Sequence, residues 1–154
     1  MFLTAHATVG AAIAHSTLSP WVVFLLAFAS HFLVDAIPHG DQGLGAAPTH
    51  KERVKKLLVI ISIDLGTLTL LTTYLLLTKA IERPLVTAIA MLCSMAPDGL
   101  HGLSELTGWR RVAWMARCQS WFHIHTHFPR VVVAFPVGMI VQIFFTLLVI
   151  GITF

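Results

Sequence analysis

Charge is what this chain has least of. Ten Lys and Arg and seven Asp and Glu make up 11% of 154 residues, against roughly 25% in a soluble globular domain. So few charges cannot coat a water-facing surface, and this points to an integral membrane protein. The small positive excess, +3, lies in short runs beside apolar segments. That placement argues against nucleic acid as a partner and suits membrane-face anchors. Cysteine is nearly missing: Cys93 and Cys118 form neither a metal-binding spacing nor a disulfide framework. The Met1 end has no basic n-region, and His6 and His15 interrupt its apolar stretch, which excludes a secretory signal. No low-complexity tract or linker divides the chain, so residues 1–154 read as one membrane domain.

Hydrophobic residues are abundant, at 56%, with a mean hydropathy of +0.83. Five apolar segments follow one another: Leu3 to Leu18, rich in small residues; Pro20 to Ile37, with proline well placed to start a helix; Leu57 to Thr78; Pro84 to about Leu106, interrupted by APDG; and Val131 to Phe154. The expected fold is all-α, with about five transmembrane or membrane-inserted helices. The first segment reads as a short tilted span or a partly inserted helix. Two polar connections separate the spans, His39 to Lys56 and Gly108 to Arg130. If the spans alternate, both connections share a side and hold eight of the ten basic residues, leaving Lys79 and Arg83 opposite. The positive-inside rule makes the basic side cytoplasmic, in a multi-pass protein of a prokaryotic inner membrane.

Nine histidines stand against one tyrosine, and most fall at that same side. His31 and Asp35 in SHFLVD are spaced i, i+4, so one helix face carries both; they suit one cation, or a hydrogen-bonded pair between packed helices. His39 follows directly. Asp64 lies deep in LLVIISIDLGTLTLL, where an unpaired carboxylate costs roughly 3 kcal/mol on insertion scales. A metal, a histidine, a proton or an arginine must neutralise it, and nearby Gly66 suits close helix approach. Asp98 and His101 in PDGLH share a face at i, i+3, with Glu105 one turn further as an outer partner, a general base or an interfacial residue. Pro97 and Gly99 should loosen the backbone, which a bilayer tolerates inside protein or beside a water-filled cavity. HIHTH supplies His123, His125 and His127, ligands or a general acid, or else a solvated loop. His15 and His50 read as packing residues. D-A-I-P-H-G at Asp35 and D-G-L-H-G at Asp98 form a weak internal echo.

A donor set of His and Asp without Cys suits Zn²⁺, Mn²⁺ or Fe²⁺ better than Ca²⁺ or Mg²⁺. The candidate ligands are His6, His31, Asp35, His39, Asp64, Asp98 and His101, enough for two ions. Such a centre can bind a phosphoryl oxygen and activate a water. At headgroup level, Arg110, Arg111, Arg117 and Arg130 are candidates to hold a phosphate, or simply mark the inside face.

These motifs resemble the predicted membrane-bound metal-dependent hydrolases, small inner-membrane proteins with scattered His and Asp motifs. The family's N-terminal His is similar to His6 in TAHATVGAA. Its P-D-x-D-H block is similar to Pro97, Asp98, Gly99, Leu100 and His101, with leucine for the second Asp. Its S-H-x-x-x-D helix is similar to Ser30, His31 and Asp35, and its T-H step to Thr126 and His127. The order differs, since S-H-x-x-x-D here precedes the P-D block. The resemblance implies a metal-dependent hydrolase; lipid-headgroup phosphate enters from the arginines. The partners are then the bilayer and a lipid or lipid-linked phosphate, with room for an oligomer. The rival readings are a small metal or proton transporter, a haem-binding electron carrier and a structural subunit.

Overall fold

The computed structural model describes residues 1–16, 18–40, 48–107, 114, 117–119, 121 and 133–154, the side chains of 105 and 106 excepted. The described elements are helices α1 (Leu3–His15), α2 (Pro20–Asp35), α3 (His50–Leu77), α4 (Pro84–Thr107) and α5 (Phe135–Thr153). No strand occurs among the described residues. Among the described residues, only α3 and α5 are long and apolar enough to cross a membrane by length and composition.

The short first segment is the hub of the bundle, since α1 packs on each of the other four helices and most extensively on α4. Its composition explains this. Thr4, Ala5, His6, Ala7, Thr8, Gly10, Ala11 and Ala14 are all buried, and small side chains let helix backbones approach closely. At Gly10 the approach to α4 is close: a Cβ there would lie 2.7 Å from the Ala90 carbonyl oxygen and 2.8 Å from Ser94 Oγ. Gly66, where close approach was expected, has nothing within 4 Å of a Cβ; Gly10 and Gly138 carry that role instead.

Two buried polar side chains fasten the start of α1. The first-turn N–H groups of a helix have no partner within it, and no side chain at Phe2 caps them. Asp64, from α3, takes that place. Its carboxylate accepts from the Leu3 and Thr4 N–H groups and from the Thr4 hydroxyl, and a negative charge suits a helix N-terminus. Gln142, from α5, accepts at Oε1 from the Phe2 N–H at 2.7 Å and donates from Nε2 to the His39 carbonyl at 3.0 Å. Gly138, one turn earlier, makes room for that carbonyl, which any Cβ would overlap.

Two boundaries differ from those expected. Helix α3 starts at His50 rather than Leu57, because Thr49 caps it: Glu52 N–H donates to Thr49 Oγ1 at 3.3 Å, and the Thr49 hydroxyl donates to the Glu52 carboxylate at 2.9 Å. The basic HKERVKK run is therefore two helical turns. Helix α4 continues through APDG with Pro97 inside it. At the opposite end of α1, Arg83 Nη1 donates to the Ser16 and Leu18 carbonyls at 2.9 and 3.2 Å, and the His15 ring meets Phe154 edge-on at 5.4 Å.

Candidate metal centre

His6 from α1, His31 and Asp35 from α2 and Asp98 from α4 converge near the start of α1. Both imidazoles are fully buried, while the Asp35 and Asp98 side chains keep 13% and 25% exposure. The rings stack, with centroids 4.2 Å apart and planes inclined by 23°, which aims both at the same carboxylates. His6 Nε2 lies 3.2 Å from Asp35 Oδ1 and 3.6 Å from Asp98 Oδ2. His31 Nε2 lies 3.2 Å from Asp35 Oδ2 and 3.7 Å from Asp98 Oδ1. Two ligands each about 2 Å from one ion stand roughly 3–4 Å apart, so the spacing fits. His6, His31 and Asp98 each bring a ligand atom within 4.8 Å of the other two, and this group could hold a metal ion.

A backbone carbonyl of α4 sets the tautomer of His31. His31 Nδ1 lies 2.9 Å from the Ser94 carbonyl oxygen. A carbonyl can only accept, so Nδ1 carries a proton, and Nε2 is the nitrogen that faces the carboxylates. Metal-binding histidines are commonly oriented this way. His6 is different: although both ring nitrogens are buried, neither makes a well-aligned hydrogen bond among the described residues, and Nε2 has only its 3.2 Å contact with Asp35 Oδ1. A buried nitrogen without a good hydrogen bond is uncommon in a folded protein, and a cation between the carboxylates would engage Nε2.

Two groups at the centre were not expected. Gln119 Nε2 donates to Asp98 Oδ1 at 2.6 Å and lies 3.0 Å from His31 Nε2, so its amide sits between two of the three grouped ligands. It falls in an Arg- and Trp-rich stretch with nothing to mark it. The Met1 amino group lies 2.9 Å from Asp35 Oδ1.

The other candidates are placed apart from this group. Asp64 caps α1, as described. His39 is buried beyond α2 with Nδ1 2.6 Å from the Ile37 carbonyl oxygen. His101 lies one turn past Asp98, and its buried Nδ1 has no partner among the described residues. Arg117 is exposed. His123, His125, His127, Arg110, Arg111, Arg130 and the Glu105 side chain lie outside the described residues. His50 pairs at the surface with Arg53, its Nδ1 3.3 Å from Nη2.

Compared with protein-family models, with curated proteins and with solved structures, the chain matches none.

Proposed function

We propose that the protein is a membrane-embedded, metal-dependent hydrolase that cleaves a phosphoester of a lipid or lipid-linked headgroup at the cytoplasmic face. The observation that carries the reading is the convergence of two buried imidazoles and two partly exposed carboxylates from three helices, with one imidazole oriented by a backbone carbonyl. In this reading His6, His31 and Asp98 hold a Zn²⁺, Mn²⁺ or Fe²⁺ ion, and Asp35 is the fourth ligand and the second anionic one. Gln119 rotates aside or turns its oxygen to the ion. Such an ion polarises a phosphoryl oxygen and activates a water. A second ion would draw on His101 with His123 or His127, and the arginines of residues 110–130 would hold the phosphate. His127 or His123 would protonate the leaving oxygen.

Insertion in the bilayer is supported by the inverted surface. Trp21, Leu33, Leu70, Leu77, Ile140 and Ile152 are largely exposed, and so wide an apolar exterior would be unusual in water. A hydrolase is favoured over a transporter because the carboxylates lie at one end of α1. The interior beyond them is closed by Ala11, Ala14, Val23, Ala27 and Ala90, each at most 1% exposed, whereas transport sites commonly lie near the midplane.

The test is reconstitution into vesicles with Zn²⁺, Mn²⁺ or Fe²⁺, followed by assay of phosphate or headgroup release from phosphatidic acid, phospholipids and a polyprenyl diphosphate. Metal-dependent release that is abolished in His31→Ala supports the proposal. A metal-loaded protein that releases nothing from any of these would sink the hydrolase reading and leave the metal site standing.

A further inference from the structure

The carboxamide of Gln119 reaches the metal centre from the chain between α4 and α5, outside the three helices that supply the other candidate ligands. Its Nε2 donates to Asp98 Oδ1 at 2.6 Å and lies 3.0 Å from His31 Nε2, and those two atoms are 3.7 Å apart. A triangle with these sides has a point roughly 2 Å from all three corners, which is a metal–ligand distance. The inward atom of the amide therefore stands where a ligand atom would stand. It does not stand where the ion would. An amino group there would bond to every surrounding ligand, whereas His6 Nε2 is left without a well-aligned hydrogen bond.

The orientation of the amide depends on what lies between these groups. A carboxylate only accepts, so against Asp98 alone the amide must turn its N–H inward. Its Oε1 is then left buried, with no hydrogen-bond partner among the described residues. A half-turn about the last side-chain bond exchanges the oxygen and the nitrogen, which are nearly equal in size. The oxygen gives up no bond in that turn, but it comes to face the Asp98 carboxylate. A cation held between the two oxygens converts their repulsion into a shared attraction.

We infer that Gln119 is a ligand of the metal centre: with the ion bound, its Oε1 joins His6, His31, Asp35 and Asp98 on the metal. The inference deepens the proposed metal-centre reading and rests on it, and it is independent of the hydrolase chemistry. It also bears on which metal binds. Zn²⁺ most often takes a tetrahedral set of ligands, whereas carbonyl and carboxylate oxygens suit Mn²⁺. Two imidazole nitrogens with three oxygens therefore raise the affinity for Mn²⁺ relative to Zn²⁺.

The test is metal titration of the detergent-purified full chain beside Gln119→Leu and Gln119→Glu. Mn²⁺ is followed by electron paramagnetic resonance and Zn²⁺ by competition with a chelator. Co²⁺ serves as a coloured probe, since its visible absorption is weak at high coordination number and strong in a tetrahedral site. In Gln119→Leu, whose hydrocarbon keeps water from the vacated position, Mn²⁺ affinity should fall at least about tenfold. Zn²⁺ affinity should fall less, and the Co²⁺ absorption should rise. Gln119→Glu keeps an oxygen at the same reach and should bind Mn²⁺ as tightly as the parent chain or more so. Affinities that rise in Gln119→Leu would make the amide a competitor for the ligands, and unchanged affinities would make it a bystander. A fall with an unchanged Co²⁺ spectrum would make it an orienting neighbour. Each of these, or loss of Mn²⁺ binding in Gln119→Glu, overturns the inference and leaves the metal centre standing. A parent chain that binds none of the three metals overturns both. If Gln119→Leu does not fold, Gln119→Asn, one methylene too short to reach the ion, is read in the same way.

Discussion

The helices around α1 and the helices at the periphery obey opposite rules. Inside, the chain buries His6, His31, His39, Asp64, Gln142 and Ser94 among alanines, and Leu75 is the largest fully buried apolar side chain. Outside, α3 and α5 expose leucines, isoleucines and phenylalanine along most of their length, with only Asp64 and Leu75 buried on α3 and Gly138 and Gln142 on α5. The difference teaches where specificity resides. Apolar burial alone does little to select this packing, because most of the bulky apolar groups of α3 and α5 face outward. Close backbone contact at Gly10 and Gly138, and satisfied polar groups at Asp64 and Gln142, select it instead.

That contrast can be broken from the inside first. Gly138→Ala and Gly10→Ala drive a Cβ into the backbone of His39 and Ala90. Each should destabilise by about 1–3 kcal/mol or more, measured as a loss of thermal stability in detergent. Gly66→Ala and Gly151→Ala, with open space around them, should instead be neutral or stabilising by up to about 1 kcal/mol. If all four behave alike, the glycines do not set the packing.

Asp64→Asn comes next. It removes the charge from the α1 N-terminus and places an amide donor against other donors, at a cost of about 1–3 kcal/mol. Metal content should stay unchanged, which separates a helix cap from a ligand. Gln142→Leu should cost a similar amount, since it strands the Phe2 N–H and the His39 carbonyl. Hydrogen exchange at the first turn of α1 reads both. The smallest effect belongs to the exterior: Leu70→Ala, at a side chain 75% exposed, should change stability by no more than about 0.5 kcal/mol. Leu75→Ala should cost about 2–5 kcal/mol. Equal losses at 70 and 75 would contradict the assignment of inside and outside.

Much of this architecture was legible before the fold. Apolar segments and proline starts located the helices, and the i, i+4 and P-D patterns singled out His31, Asp35 and Asp98. The echo between Asp35 and Asp98 has a structural counterpart, as both carboxylates face the same two imidazoles. The role of Asp64 was not legible. Its partners are backbone N–H groups of a helix sixty residues away, and backbone donors leave no mark in a sequence. Gln119 was hidden because an amide carries no charge to stand out. The hub position of α1 was hidden too, since alanine and glycine read as weakly as peripheral residues as they do as buried ones.

The central claim is that His6, His31 and Asp98 are a metal centre while Asp64 is not part of it. Elemental mass spectrometry of the detergent-purified protein tests it most directly, with His31→Ala/Asp98→Ala and Asp64→Asn prepared in parallel. One or two equivalents of Zn, Mn or Fe, retained in Asp64→Asn and lost in the double variant, is the predicted result. No metal after reconstitution, or equal loss in both variants, would contradict it.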